Sequence, residues 1–460
     1  MNQVPPPSSV LPRTLFPTVS VASRLDTLKV LTRIVLPTFG KGVIIRRPAV
    51  EGLAERFNLD LTAVRLMQQL RRKHGPAPLL LKIPFRPQLL LLDPRDVELV
   101  LSQSPEPFSP ATKEKRAALN HLEPGNVLIS NPPRRVQTRP YHEAALATSE
   151  RHHPLACRFQ TVIDEEIERI ISTHERQELN WPLFATAWFK IVRRLALGDS
   201  AREDKGLTDL LNRLRGRSNW AFFLRKDAKL LKEFQRIIQK YVDRSEAGSL
   251  VGFGSKDHSV DLPSQIAQWL FAFDPAGMAT FRTLALLATY PEHLAAAQAE
   301  ASSREIERPL TRACFLEALR LWPTTPAILR ETTTEIAAAK VEAGTGLIIF
   351  TPFFHRDDAN LKCAHRMEPS IWIDGNDALP LKGFVPFSAG PAICPAHNLV
   401  PLVATMAIGA VLARASIKLT SPRMDASALP GTLNHFTLKF DAQRSPSPAA
   451  RTPKALQRPY

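Results

Sequence analysis

Nine segments with apolar side chains at three- and four-residue spacing fill the middle of this chain: LTAVRLMQQLRRK (61–73), RDVELVLSQ (95–103), FQTVIDEEIERIIST (159–173), FATAWFKIVRRLAL (184–197), KLLKEFQRIIQKYVDR (229–244), the apolar run of 264–290, HLAAAQAEA (293–301), TRACFLEALRLW (311–322) and 399–415. That period is one face of an α-helix. Helices in such number have to pack on one another, and few β-strands remain to pair. The strand candidates lie toward the two ends. PLLLKI (78–83) and QLLLLD (88–93), separated by PFRP, read as a hairpin. GLIIFTPFF (346–354) is a further apolar strand, and LNHFTLKF (433–440) alternates weakly. The fold class expected is mainly α with a minor β-sheet region, built as a single large domain.

The chain has 460 residues, enough for one large unit, and 23% charged with 44% apolar residues places it among globular proteins. Residues 1–44 open with five prolines in the first twenty and are expected to be irregular, although 25–44 is mildly amphipathic and suits a packed helix more than a membrane-surface contact. The tail DAQRSPSPAARTPKALQRPY (441–460) has the composition of a disordered segment. The body is therefore expected at 45–440. Sixty Lys and Arg against 44 Asp and Glu give a net charge of +16, spread along the chain with no basic block. Without aromatic residues interleaved among the cations, nucleic acid is not an expected partner; an acidic protein partner is. Four cysteines, at 157, 314, 363 and 394, are too few for a disulfide framework and fit a reducing compartment. No signal-peptide core and no run of 18 apolar residues is present, so a cytoplasmic monomer without a membrane span is expected.

Two stretches concentrate chemistry. In PFSAGPAICPAHNL (386–399) a lone thiol, Cys394, sits among glycine, proline and small apolar residues. No second cysteine is close enough for a metal clip, which leaves either an inert core residue or a ligand presented by a shaped loop. In FLEALRLWPTT (315–325), Glu317 and Arg320 share one face of an otherwise apolar helix. A buried pair there is costly unless fully hydrogen-bonded; an exposed one is worth only a few tenths of a kcal/mol, roughly.

The order Glu317-x-x-Arg320, PAILRETT (326–333), an apolar strand, HRDD (355–358), then Phe387-x-x-Gly390-x-x-x-Cys394 resembles the cytochrome P450 family, the haem-thiolate monooxygenases, of the soluble bacterial type, over roughly residues 55–440. The resemblance implies a haem b cofactor with Cys394 as its iron ligand, Phe387 as the loop aromatic and Gly390 as the turn that lets the backbone approach. It implies a structural network of Glu317, Arg320 and Arg366. Arg139, Arg330 and, less directly, Arg135 would bind the haem propionates, since a guanidinium meets a carboxylate as a fork. On the oxygen side, FAFDPAGMAT (271–280) is similar to the family's central helix. Gly277 would open a groove over the haem and Thr280 would serve proton delivery. The usual acid before that threonine is replaced by Ala279, which leaves Asp274 as the nearby carboxylate; Pro275 should kink the helix. Ala392 and Ala396 also depart from the family's usual loop residues.

The activity implied is oxidation, typically hydroxylation, of an apolar organic substrate with O2 and two electrons from a ferredoxin or flavoprotein. Substrate contacts would come from 104–131, 219–224, 270–280, 324–328 and 429–433, with Trp220, Phe222, Phe223, Phe271, Phe273 and Ile328 as apolar lining. Two other readings stay open. The same fold could serve peroxide use, isomerisation or ligand binding, which the missing acid at Ala279 motivates. A zinc site from Cys363, His365, Cys394 and His397 is the third, though it leaves Glu317–Arg320 unexplained.

Overall fold

A computed structural model describes residues 16–172, 175–254, 260–303, 305–373 and 383–445. The Leu-rich segments pair as expected: β2 (Leu79–Leu81) and β3 (Gln88–Leu90) form an antiparallel hairpin. With β1 (Ser20–Val21), β4 (Phe108–Ser109), β6 (Ala327–Thr332) and β7 (Gly346–Phe350) they make a six-stranded sheet in the order β1-β2-β3-β7-β6-β4. A second sheet, β5-β9-β8, joins Arg176–Asn180, Lys439–Arg444 and Ala415–Ser421.

The rest is helical. A 28-residue helix, Leu262–Thr289, runs through the core. Apolar residues surround it on all sides, as a helix buried all round requires. It starts with Pro263 in its first turn and stops before Pro291, whose ring disfavours helical geometry in the preceding residue. Helices Trp181–Leu197, Pro309–Leu321 and Leu399–Arg414 pack directly against it. One apolar cluster fills the space between these helices and a second lies under the six-stranded sheet.

Three expectations need correction. The amphipathic stretch 25–44 is helical as read, over Arg24–Lys41 and closed by Gly42 at a φ of 90°, so the irregular segment assigned to 1–44 is too long. Lys41, from this segment, forms an ion pair with Asp60, so the packed body begins well before residue 45. The strand expected at 433–440 starts later, at Lys439, because His435–Thr437 forms a single 3-10 turn capped by Asn434. β9 also carries the body to Arg444, while 446–460 lie outside the described residues. Among the described residues no helix is long and apolar enough to cross a membrane.

Candidate haem site around Cys394

Cys394 is presented by a loop whose path is set by backbone bonds. Its N–H donates to the Phe387 carbonyl at 2.9 Å, and its carbonyl accepts from His397 N–H at 3.1 Å. Gly390 has a φ of 66°, and a Cβ there would lie 2.1 Å from the Leu101 carbonyl oxygen. Only glycine fits both conditions. From behind, Arg139 Nη2 donates to the Ile393 carbonyl at 2.8 Å and Thr148 Oγ1 to the Pro395 carbonyl at 2.6 Å. Arg139 thus holds the loop next to the thiol and also pairs with Glu143 at 2.6 Å. The thiol is half-buried. Burial pushes its pKa up, while the Ala396 N–H and Arg139 pull it down.

Arg330, on β6, is 2% exposed; its Nε donates to Ser104 Oγ at 2.8 Å and its Nη2 to Ser388 Oγ at 2.9 Å, so it reaches the same loop. Burial, and then the charge of Arg135, brings its pKa down to about 9. Arg135, bonded to the Val127 carbonyl at 2.9 Å, is itself brought down to about 10, by burial and then by Arg139. Lys115 completes the group, at about 7, lowered by burial and then by Arg330 and Arg135. The nearby carboxylates are engaged elsewhere: Glu114 by Arg86 and Glu143 by Arg139. Arg330 thus reaches the Cys394 loop as a buried cation bonded only to neutral groups, with Arg135 and Lys115 acting on its charge. A carboxylate meets such a guanidinium as a fork, so Arg330 and the nearby thiol fit a propionate and the soft ligand of a haem. Sequence reasoning missed Lys115, because a lysine in KEKR carries no local signal of a buried, like-charged neighbourhood.

Glu317 and Arg320 are both fully buried and meet as a fork, at 2.6 and 2.7 Å. Arg320 also donates to the carbonyls of His355 (3.0 Å), Cys363 (3.2 Å) and Arg366 (2.7 Å). Glu317 accepts from Glu368 N–H and Trp372 Nε1, each at 2.7 Å. Such full satisfaction is what a buried pair needs. Arg366 enters the network through its carbonyl alone; its side chain is exposed, so the expected third cation is not there.

On the central helix, Thr280 is buried and its Oγ1 donates to the Ala276 carbonyl at 2.8 Å. Gly277 does not open a groove: a Cβ there would lie 2.6 Å from Trp188 Nε1. That indole fills the space and donates to the Phe273 carbonyl at 2.8 Å. Asp274 is tied to Arg215, a buried residue of helix Lys205–Ser218, and is not free to serve Thr280. The helix continues through Pro275.

Of the apolar lining expected, Phe273 and Ile328 are buried, and Phe271 lies under the Arg215 guanidinium. Trp220, Phe222 and Phe223 are instead on the surface, 49%, 62% and 83% exposed. Among the described residues no group of three or more His, Cys, Asp or Glu side chains is placed to hold a metal ion, and His365 lies against Asp358 and Arg356, so the zinc grouping does not form.

A long buried helix through a helical core, a small sheet, a loop that presents one cysteine and a buried Glu-x-x-Arg pair define the class: a mainly helical single-domain fold. The family model Cytochrome P450 matches residues 270–450. The chain is 26% identical over 206 residues to Cytochrome P450 4c3 of Drosophila melanogaster, a match covering 41% of this chain and 37% of the fly protein's length. Its fold is similar to the crystal structure of the cytochrome P450DA heme domain, with a TM-score of 0.65, 14% identity and coverage of 84% of this chain and 93% of that one. It is also similar to CYP175A1 from Thermus thermophilus, with a TM-score of 0.61, 17% identity and coverage of 84% and 96%. Over residues 270–450 the chain is similar to the cytochrome P450 family, and its fold is that of the cytochrome P450 structures.

Proposed function

We propose that this chain is a haem-thiolate monooxygenase that oxidises an apolar organic substrate with O2 and two electrons from a ferredoxin or flavoprotein. The observation that carries this reading is the loop that presents Cys394, held through the Ile393 carbonyl by Arg139 and reached through Ser388 by the buried Arg330. These residues would hold haem b: Cys394 by its sulfur, the cations by the propionates, and Phe387 and Gly390 by shaping the loop. The bound haem supplies oxygen activation, with thiolate donation favouring O–O cleavage. Arg139 fixes the sulfur's position through the Ile393 carbonyl. Thr280 Oγ1, anchored on the Ala276 carbonyl, holds a hydroxyl proton at the centre of a buried helix and can pass it on while accepting another from water.

A second reading is favoured by one feature of the same helix. Asp274 is neutralised by Arg215, and Ala279 offers no carboxyl, so proton supply to Thr280 depends on water alone. Peroxide, which brings its own protons, suits such a site. Turnover driven by NAD(P)H and redox partners, compared with turnover driven by peroxide, separates the two. Product formed from both but faster with the partners supports the monooxygenase; product from peroxide alone supports the second reading.

A further inference from the structure

The loop between helix Lys113–Leu119 and the 3-10 turn Val127–Ile129 buries two titratable side chains that the reading above leaves unused, and each meets a different element. Glu123 is fully buried. Its partner is Gln268 of the central helix, which, with its amide turned toward the carboxyl, donates to both oxygens, at 2.6 and 2.9 Å. Among the described residues no charged side chain acts on Glu123; burial alone raises its pKa well above the ordinary 4.5. One amide does not replace the water that an ionised carboxylate needs, so the group keeps its proton. His121 is 3% exposed and bonds the turn after helix Lys205–Ser218: one ring nitrogen donates to the Ala221 carbonyl, while Nδ1 has no partner among the described residues. Burial, and then the charges of Arg217 and Lys226, lowers its pKa below the ordinary 6.5. The loop therefore lies between the central helix and that turn with a neutral acid at one seam and a neutral base at the other.

The remaining contacts of the loop with the central helix are between neutral groups. Asn126 Nδ2 donates to the Ser264 carbonyl at 3.1 Å, Val127 N–H to Gln265 Oε1 at 3.2 Å, and Gln265 Nε2 to the Gly125 carbonyl at 3.2 Å. Behind Gln265, His142 is neutral above about pH 4. The Arg134 guanidinium borders Gly125 and is charged across this range, so it adds no pH dependence. Lifting the loop returns Glu123 and His121 to water. The carboxyl then sheds its proton wherever pH exceeds 4.5, so closure takes a proton up and weakens as pH rises. The imidazole then gains a proton below 6.5, which opposes closure there. Between these two values the effects work against each other; above 6.5 the carboxyl acts alone.

The position gives this chemistry a use. Between 264 and 287 the partly exposed residues of the central helix are Gln268, Phe271, Ala272 and Pro275, spaced three and four apart on one side. Ala272, Ala276 and Thr280 continue that side at four-residue steps. The loop, through Glu123, covers the Gln268 end of this incompletely packed strip. The loop and the turn that holds His121 both belong to the segments expected to touch substrate.

We propose that residues 120–127 form a lid over the substrate side of the central helix, and that Glu123 and His121 tie its closure to pH, so that it holds on the acid side of neutrality and loosens toward alkaline pH. The proposal rests on the oxidative reading above only for what the lid covers. The test is hydrogen exchange of the full, haem-loaded chain across pH, corrected for intrinsic rates. Opening at the amides of Glu123–Val127 should rise by up to about tenfold per pH unit above 6.5, while the strands Ala415–Ser421 and Lys439–Arg444 do not follow. Glu123→Gln should remove the rise. His121→Gln, which keeps the test open if the first variant fails to fold, should instead extend the rise down to about pH 4.5. In stopped flow, binding of 4-phenylpyridine, an apolar haem ligand, should quicken with pH above 6.5 in the unaltered chain and not in Glu123→Gln. Opening that ignores pH, a rise that survives Glu123→Gln, or an equal rise in the two strands would overturn the proposal. Exchange that follows Glu123 while ligand entry does not would mean a loop that covers nothing, and would overturn the lid. A chain that takes up no haem contradicts the oxidative reading and leaves the exchange result to decide the pH dependence.

Discussion

Arg330 is a cation buried without a carboxylate in reach, so deleting its charge should act in opposite directions on two forms of the protein. In the haem-free chain, Arg330→Leu relieves an uncompensated buried charge and should leave urea stability equal or higher. In the haem-loaded chain it removes a charged hydrogen bond worth roughly 1.5–3 kcal/mol, so haem loss to an acceptor globin should be about 10–100-fold faster. A residue that merely supports the fold would lower both. Gly277 gives a second case. Gly277→Ala should displace Trp188 from the Phe273 carbonyl and cost roughly 1–3 kcal/mol of unfolding free energy, read by urea denaturation and by the Trp188 emission. The contrast between these residues shows what the sequence carries. Glu317, Arg320, Gly390 and Cys394 stood out because a local spacing marks them. Lys115, Trp188 and Arg215 did not, because each acts on a partner far along the chain: Trp188 on Phe273, Arg215 on Asp274, Lys115 on Arg330.

Between elements, a buried polar network ties the segment Gly125–Val127 and helix Arg134–Ala145 to the start of the central helix. Trp269 Nε1 donates to His142 Nδ1 at 3.0 Å, so His142 Nε2–H donates to Gln265 Oε1, also at 3.0 Å. Gln265 in turn bonds Val127 N–H at 3.2 Å and the Gly125 carbonyl at 3.2 Å. Burial holds the His142 pKa at about 4, below its ordinary value of 6.5. The unfolded chain therefore binds a proton that the folded chain does not, and stability falls as pH drops from about 6.5 toward 4, by at most about 1.4 kcal/mol per unit. His142→Gln should flatten that acid limb in denaturation measured across pH. The helices themselves were legible, since the 3.6-residue period marks Ala228–Arg244 and Leu262–Thr289 to within a few residues. Helices Lys205–Ser218 and Arg134–Ala145 were not, because polar and basic residues break up their apolar stripes.

For the whole molecule, a charge of +16 favours an acidic electron donor through long-range attraction. Association with an acidic ferredoxin, followed by stopped-flow reduction, should slow at least severalfold between low and physiological ionic strength; a rate indifferent to salt would argue for a donor of another kind. The fold class could be read from the distribution of helix and strand periods, and the amphipathic stretch 25–44 hinted at packing, whereas its partner Asp60 could not be read, since only the tertiary contact reveals it. Every role assigned to the cations and to Thr280 depends on sulfur ligation at Cys394. The most direct measurement is the absorption spectrum of the reduced, haem-loaded chain under carbon monoxide. A strongly red-shifted Soret band, lost in Cys394→His, is the predicted result; an imidazole-type band in the unaltered chain, or a chain that takes up no haem, would contradict it.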